Sequence, residues 1–280
     1  MEKLIINFTP SGMIPIKEMT AHVPVSPDEI ACDVLKAADL GASIAHIHAR
    51  DENGLPTHRG EVYGEIISKI RKKNKDIIIC VSTSGRNVSE FEKRSEVLDL
   101  EGICKPDMAS LTMSSLNFNN QVSINPPETI KSLAEKMLKK GIKPELEVFD
   151  AGMINYSKYL IRKGLLHPPY YFNIILGNIA CAQADLLHIG VILNDLPGNS
   201  IWSLGGVGDS QLMVNSLAIV WGGGIRVGLE DNIWFDSART RLATNEELVR
   251  RAAEISNAIG RQIASPAEVR CLLGLDGAKK

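Results

Sequence analysis

The chain has 280 residues, 44% of them hydrophobic and 23% charged, which describes a soluble globular protein long enough for a sizeable core. Lys and Arg total 31 against 33 Asp and Glu, a net charge of −2, so nothing points to a nucleic-acid or anionic-membrane surface. No apolar run is long enough to span a bilayer, and residues 1–8 enter a strand directly without a signal-peptide cleavage site. The five cysteines, scattered and without a metal-type spacing, read as reduced thiols in a cytoplasmic protein.

Apolar strand-like runs alternate with helical patterns from end to end, which predicts βα units and a parallel sheet. Strand one covers residues 4–8 and is followed by the loop 9–15. Helix one opens at Ser26-Pro27-Asp28-Glu29, with Ser26 as N-cap, Pro27 at the first helical position and Glu29 at the capping-box position, and closes at Gly41. Strand two is the segment 43–50, helix two 61–73 and strand three 77–81, which runs into Ser82-Thr83-Ser84-Gly85-Arg86. Helix three is expected near 89–100, strand four at 107–113, a polar loop at 114–125, and helix four from Pro126-Pro127-Glu128 to Gly141. Strand five spans 145–149, helix five about 153–163, strand six 171–176 and helix six about 182–193. Strand seven at 201–204 opens into Gly205-Gly206-Val207-Gly208; helix seven at 211–221, strand eight at 225–229 and helix eight at 245–260 follow. A short helix starts at Ser265-Pro266. This strict alternation, without a long linker or composition shift, predicts one domain over 1–280, a TIM (β/α)₈ barrel with a short C-terminal helical extension; a doubly wound open sheet is the alternative.

On strand two the period of two sends His46 and His48 to one face and Ala45, Ile47 and Ala49 to the other. Paired inward imidazoles are costly to bury without a partner and can converge on one ion; the other reading is a pair of satisfied core histidines. Strand eight carries Arg226, Gly228 and Glu230 on a common face, and Glu230 is the best third ligand for a Zn²⁺ site that keeps one position open. Asp231, free of that role, is either a general base beside Arg226 or a cap for the turn at Asn232, with little to choose between them. Glu145 and Glu147 point into the barrel by parity, and Arg226 is the available cation for them. Ser82, Thr83, Ser84 and Gly85 at the same rim either hold a carboxylate or enolate oxygen or form an ordinary polar turn. The glycines at 205–208 and 222–224 permit phosphate binding near strands seven and eight, or only tight turns. His22, His58, His167 and His188 read as surface or packing residues.

A metal-dependent hydrolase of the amidohydrolase type also opens with His-x-His on a barrel strand. It needs further inward histidines on strands five and six, where this chain has glutamates and Tyr171-Phe172-Asn173-Ile174. Four segments carry a resemblance to another family: His46-Ile47-His48-Ala49-Arg50-Asp51; Val81-Ser82-Thr83; Pro144 to Asp150 with Gly152-Met153-Ile154; and Arg226-Val227-Gly228-Leu229-Glu230-Asp231-Asn232. In these segments the chain resembles the β-keto acid cleavage enzymes, a family that includes the 3-keto-5-aminohexanoate cleavage enzymes. The resemblance implies a Zn-dependent barrel, usually a homotetramer, that converts a β-keto acid and acetyl-CoA to acetoacetate and a new acyl-CoA. It implies His46, His48 and Glu230 as Zn²⁺ ligands and Zn²⁺ as the Lewis acid that stabilises an enolate. Asp231 would be the base, oriented by Arg226 and near Ser82, with Ser82, Thr83, Ser110 and Glu147 as substrate-binding residues. Where the founding activity uses an acidic first-loop residue to pair with an amino group, this chain has Ile14, which predicts a substrate with an uncharged tail. Asp209-Ser210 and Gly224 also replace residues common among relatives, which concerns substrate or CoA contacts.

Overall fold

A computed structural model describes residues 2–275, so residue 1 and residues 276–280 of the expected domain lie outside the described residues. Eight parallel strands close into a barrel: β1 (Ile6–Phe8), β2 (Ile44–Ile47), β3 (Ile78–Val81), β4 (Met108–Thr112), β5 (Lys143–Val148), β6 (Tyr170–Leu176), β7 (Ser200–Gly206) and β8 (Gly224–Val227). β1 pairs with both β2 and β8, so the sheet has no edge and the open-sheet alternative falls. Around it lie α1 (Pro27–Asp39), α2 (Gly60–Lys73), α3 (Phe91–Ser95), α4 (Pro127–Lys140), α5 (Ala151–Arg162), α6 (Leu186–Asn194), α7 (Ser210–Trp221), α8 (Asn245–Ala258) and α9 (Pro266–Leu273).

The helix starts follow from side chains that satisfy orphan backbone donors. At α1 the Glu29 N–H donates to Ser26 Oγ and the Ser26 N–H returns a bond to Glu29 Oε2. The same reciprocal box opens α8 at Thr244 and Glu247, and α9 at Ser265 and Glu268. Outward strand residues such as Ile47, Ile79, Leu111, Leu146 and Ile174 pack against the helices. Inward residues form two layers. The lower is apolar, with Ile5, Ile44, Ile78 and Met108 closed off by Val269 and Leu273 of α9. Burying those last two side chains contributes about 1.5–3 kcal/mol each. The upper layer is polar and faces the open end.

Several boundaries differ from the sequence expectation for local reasons. Helix three shrinks to α3 and a 3₁₀ turn, Glu96–Asp99, in which the Glu96 carboxylate accepts from the Gly60 N–H at the start of α2. Helix six starts at Leu186 instead of 182, because the Ala182 N–H donates to Phe149 O and Asp185 supplies the cap. Strand two leaves the barrel after Ile47; Ala49–Arg50 turns away to pair antiparallel with Pro56–Thr57. The expected polar loop 114–125 contains a hairpin of Leu116–Asn117 and Val122–Ser123. Strand eight stops at Val227, where Gly228 has φ +156° and a Cβ there would lie 2.0 Å from Thr9 O. The strand thus ends two residues earlier than the expected 229, and Glu230 and Asp231, expected at its end and just past it, sit on a turn.

Candidate active site

A cavity of about 710 Å³ opens at the C-terminal end of the barrel, lined among others by Ile14, His48, Ser82, Glu147, Arg226, Glu230 and Asp231. Barrels of this kind place their chemistry there, on the loops that follow the strands. His46 lies just below His48 in the polar layer, and the two Nε2 atoms are 3.2 Å apart. The Glu230 Oε1 atom is 3.2 Å from His48 Nε2. Four donors at tetrahedral Zn²⁺ distances are separated by roughly 3.3 Å, so both spacings match two edges of such a site. Two further atoms, Glu230 Oε2 and His48 Nδ1, are buried without a partner among the described residues. His46, His48 and Glu230 could thus hold a divalent ion; the second group with metal-type spacing, His46, Cys80 and Glu145, is wholly buried.

The first loop and the β2 end are locked against this site. Arg50, itself buried, donates to Gly12 O at 2.9 Å, Pro15 O at 2.8 Å and Gly54 O at 3.0 Å. Gly12 has φ +60°, and a Cβ there would come within 2.3 Å of Glu230 Cγ, so the glycine is what allows the loop to lie on Glu230.

Arg226 gathers the carboxylates. Its Nε donates to Asp231 Oδ2 at 2.7 Å, Nη2 sits 2.7 Å from Glu230 Oε1, and Nη1 sits 3.4 Å from Glu147 Oε1. Burial opposes charge on Glu230, but Arg226 and the two imidazoles outweigh it and hold the carboxyl well below the usual carboxylate range. At Asp231 burial wins over the pull of Arg226, and Glu230 adds to it, so this carboxyl titrates above its ordinary value. The alternative role of Asp231 as a turn cap does not appear among its bonds, which go to Arg226 and, at 3.4 Å, to the Thr9 hydroxyl.

Glu145 corrects the sequence reading. It was expected beside Arg226, yet its Oε2 lies 2.6 Å from His46 Nδ1, and its Oε1 accepts from Asn7 Nδ2 at 2.5 Å. The chain of contacts continues from Asn7 to the Tyr171 hydroxyl at 3.3 Å and from there to Ser203 Oγ at 2.8 Å. Burial disfavours the imidazolium of His46, but Glu145 and Glu230 outweigh it and push its pKa up to about 9. Thr83 and Ser110 stand apart from the cavity wall: the Thr83 hydroxyl donates to Ser110 O at 2.6 Å, and the Thr83 N–H donates to Ser110 Oγ at 3.1 Å. Of the rim residues flagged from sequence, Ser82, Ser84, Glu147 and Ile14 reach the cavity, as do Gly208, Asp209 and Ser210.

A sequence model for the β-keto acid cleavage enzymes matches residues 3–275. The chain belongs to this family. Among its relatives, it is 36% identical to the 3-keto-5-aminohexanoate cleavage enzyme of Fusobacterium nucleatum subsp. nucleatum, over 98% of this chain and 99% of that one. It is also 32% identical to the 3-oxoadipate:acetyl-CoA acetyltransferase of Cupriavidus necator, over 97% of this chain and 94% of that one. Among solved structures, apo ObcA shares the fold at a TM-score of 0.81 and 22% identity; the match covers 90% of this chain and spans 65% of ObcA. The protein is thus an enzyme of the β-keto acid cleavage type on a TIM barrel, and among its described residues no helix is long and apolar enough to cross a membrane.

Three residues in or beneath the cavity were not flagged from the sequence: Asn7, Arg86 and Phe118. Asn7 carried a signal, since it is the polar inward position of an otherwise apolar strand. Arg86 and Phe118 carried none, because they come from loops after different strands and meet only in three dimensions, with the guanidinium 3.5 Å from the ring centroid.

Proposed function

We propose that this enzyme is Zn²⁺-dependent and takes a β-keto acid with an uncharged tail together with acetyl-CoA, yielding acetoacetate and a new acyl-CoA. One observation carries the reading: the donor atoms of His46, His48 and Glu230 meet at the cavity floor, beside an Asp231 carboxylate held by Arg226. The bound ion supplies Lewis-acid stabilisation of the negative charge that develops on the keto oxygen.

Asp231 takes a proton from the carbon between ketone and carboxylate, a task for which a carboxylate raised by burial is a stronger base. The carbanion attacks the acetyl carbonyl and CoA leaves as thiolate. The thiolate then attacks the original ketone carbon, and the bond from that carbon to the deprotonated one breaks. Asp231 returns its proton to the departing acetoacetate carbanion, so the enzyme ends as it began. Arg226 keeps Asp231 aimed throughout, with Ser82 and Glu147 on the cavity wall as polar substrate contacts and Thr83 and Ser110 supporting that wall from behind. Ile14, 45% exposed toward the same cavity, offers no carboxylate for an ammonium group, which supports the uncharged tail. We also propose a homotetramer. The support is a row of exposed apolar side chains on α6 and α7, among them Leu186, Leu187, Val191, Met213 and Trp221; sedimentation as a monomer at micromolar concentration would refute it.

The test is a panel of 3-oxoacids with acetyl-CoA, scored by acetoacetate release with and without chelator. Turnover is expected to need both acetyl-CoA and the metal, to favour 3-oxohexanoate over 3-keto-5-aminohexanoate, and to fall on the order of 10²- to 10⁴-fold in Asp231→Asn. Hydrolysis of a substrate without acetyl-CoA, or full activity of the variant, would sink the proposal.

A further inference from the structure

A β-keto acid is an anion, and the cavity that must receive it is crowded with carboxylates: Glu147, Asp209, Glu230 and Asp231 all line it. The cationic side chains that line it are Arg86, Arg226 and Arg239. Arg226 spends its donors on Asp231, Glu230 and Glu147. Arg239 holds Asp209 through two bonds of 3.0 Å. Arg86 is different: it is partly buried, burial lowers its pKa, and among the described residues its guanidinium has neither a hydrogen-bond acceptor nor a carboxylate partner. A guanidinium with no acid beside it keeps its donors available for an anionic ligand.

Its setting is built. The guanidinium lies over the Phe118 ring, 3.5 Å from the centroid, and Phe118 stands edge-on against Phe149 at 5.9 Å. Stacking uses the flat face and leaves the N–H edges free for a planar, bidentate acceptor. The loops that carry the two residues are tied together. Arg94 donates to Thr83 O at 2.9 Å and to Ile124 O at 3.1 Å, and the Ile124 N–H donates to Gly85 O at 3.1 Å. Arg86 lines the same cavity as Glu147, Glu230 and Asp231, so an anion held on its N–H edges lies in the space those groups enclose.

We infer that Arg86, laid against Phe118, is the anchor for the carboxylate of the keto acid. The inference rests on the proposed function, in which an uncharged tail leaves the C1 carboxylate as the group to be held. Binding is measured without acetyl-CoA, where no turnover occurs, using acetoacetate as the probe and its methyl ester as the neutral control. Arg86→Met is expected to weaken acetoacetate on the order of ten- to a hundredfold, to leave the methyl ester unchanged and to raise KM more than it lowers kcat. Arg86→Lys should recover part of the loss. Phe118→Leu, which keeps the charge and removes the platform, should lie between wild type and Arg86→Met.

Equal acetoacetate binding by wild type and Arg86→Met overturns the anchor and leaves the proposed function standing. No acetoacetate binding by wild type overturns both. With 3-oxoadipate as a second substrate, a KM penalty confined to that dicarboxylate would move the anchor to the tail, overturning the C1 assignment and the uncharged-tail reading together.

Discussion

Glu145→Gln isolates the contact that the barrel interior makes beneath the proposed metal site. Glu145 is fully buried; its Oε2 faces His46 Nδ1 at 2.6 Å and its Oε1 accepts from Asn7 at 2.5 Å. The carboxylate therefore holds a proton on Nδ1, so the proton that a metal ion would displace from the imidazolium is the one on Nε2, the atom that faces His48. Glutamine keeps the shape but presents one acceptor and one donor. If its oxygen stays with Asn7, its NH₂ faces Nδ1 and favours the tautomer whose proton sits on Nε2, blocking the ligand atom. Carboxylates behind metal-bound histidines are worth roughly 10- to 100-fold in metal affinity, or about 1.4–2.7 kcal/mol. Zn²⁺ affinity of the apoprotein, measured by competition with a chelator, is expected to fall by that factor, with circular dichroism and melting recorded in parallel to separate loss of metal from loss of fold. A variant that folds as wild type and binds Zn²⁺ equally well would refute the orienting role of Glu145.

Asp107 links the barrel floor: it meets Arg71 at 2.7 Å and Arg270 at 2.8 Å, joining α2 to α9. Burial opposes its charge, but the two guanidinium groups outweigh it and hold the carboxyl below its ordinary value. A depressed carboxylate contributes stability that is present above the unfolded pKa of roughly 4 and is lost as pH falls through the folded value. Wild-type melting temperature should therefore decline below about pH 4, whereas Asp107→Asn should start about 3 kcal/mol lower, roughly 6–12 °C, and show a flatter acid limb; identical pH profiles would exclude the linkage. Gly228→Ala puts a methyl group against Thr9 O and strains the turn by about 1–3 kcal/mol. Because that turn carries Glu230 and Asp231, turnover should fall much further than melting temperature, and a normal kcat would argue against this coupling. Ile14→Glu restores an acid in the first loop and should raise kcat/KM for 3-keto-5-aminohexanoate relative to 3-oxohexanoate by roughly tenfold; an unchanged ratio would show that Ile14 does not face the substrate tail.

The sequence by itself determined the features that depend on near neighbours. The Ser26–Glu29 box, the alternation of strands and helices, and the common face of His46 and His48 are local consequences of backbone period and of side chains that cap their own helix. The meeting of Arg226, Glu230 and Asp231 was legible too, since the three lie within one short segment. Pairings across the barrel were not, because register between distant strands decides them. Glu145 meets His46 across 99 positions and Asn7 across 138, and parity alone says only that each points inward, not which inward group it reaches. The turn at Gly228 likewise depends on the approach of Thr9 from β1. Only the tertiary structure decided that Arg226 is shared by three carboxylates while Arg86, among the described residues, is left with an aromatic ring and no acid. That difference arises from where loops after separate strands happen to converge, and no period within any one of them records it.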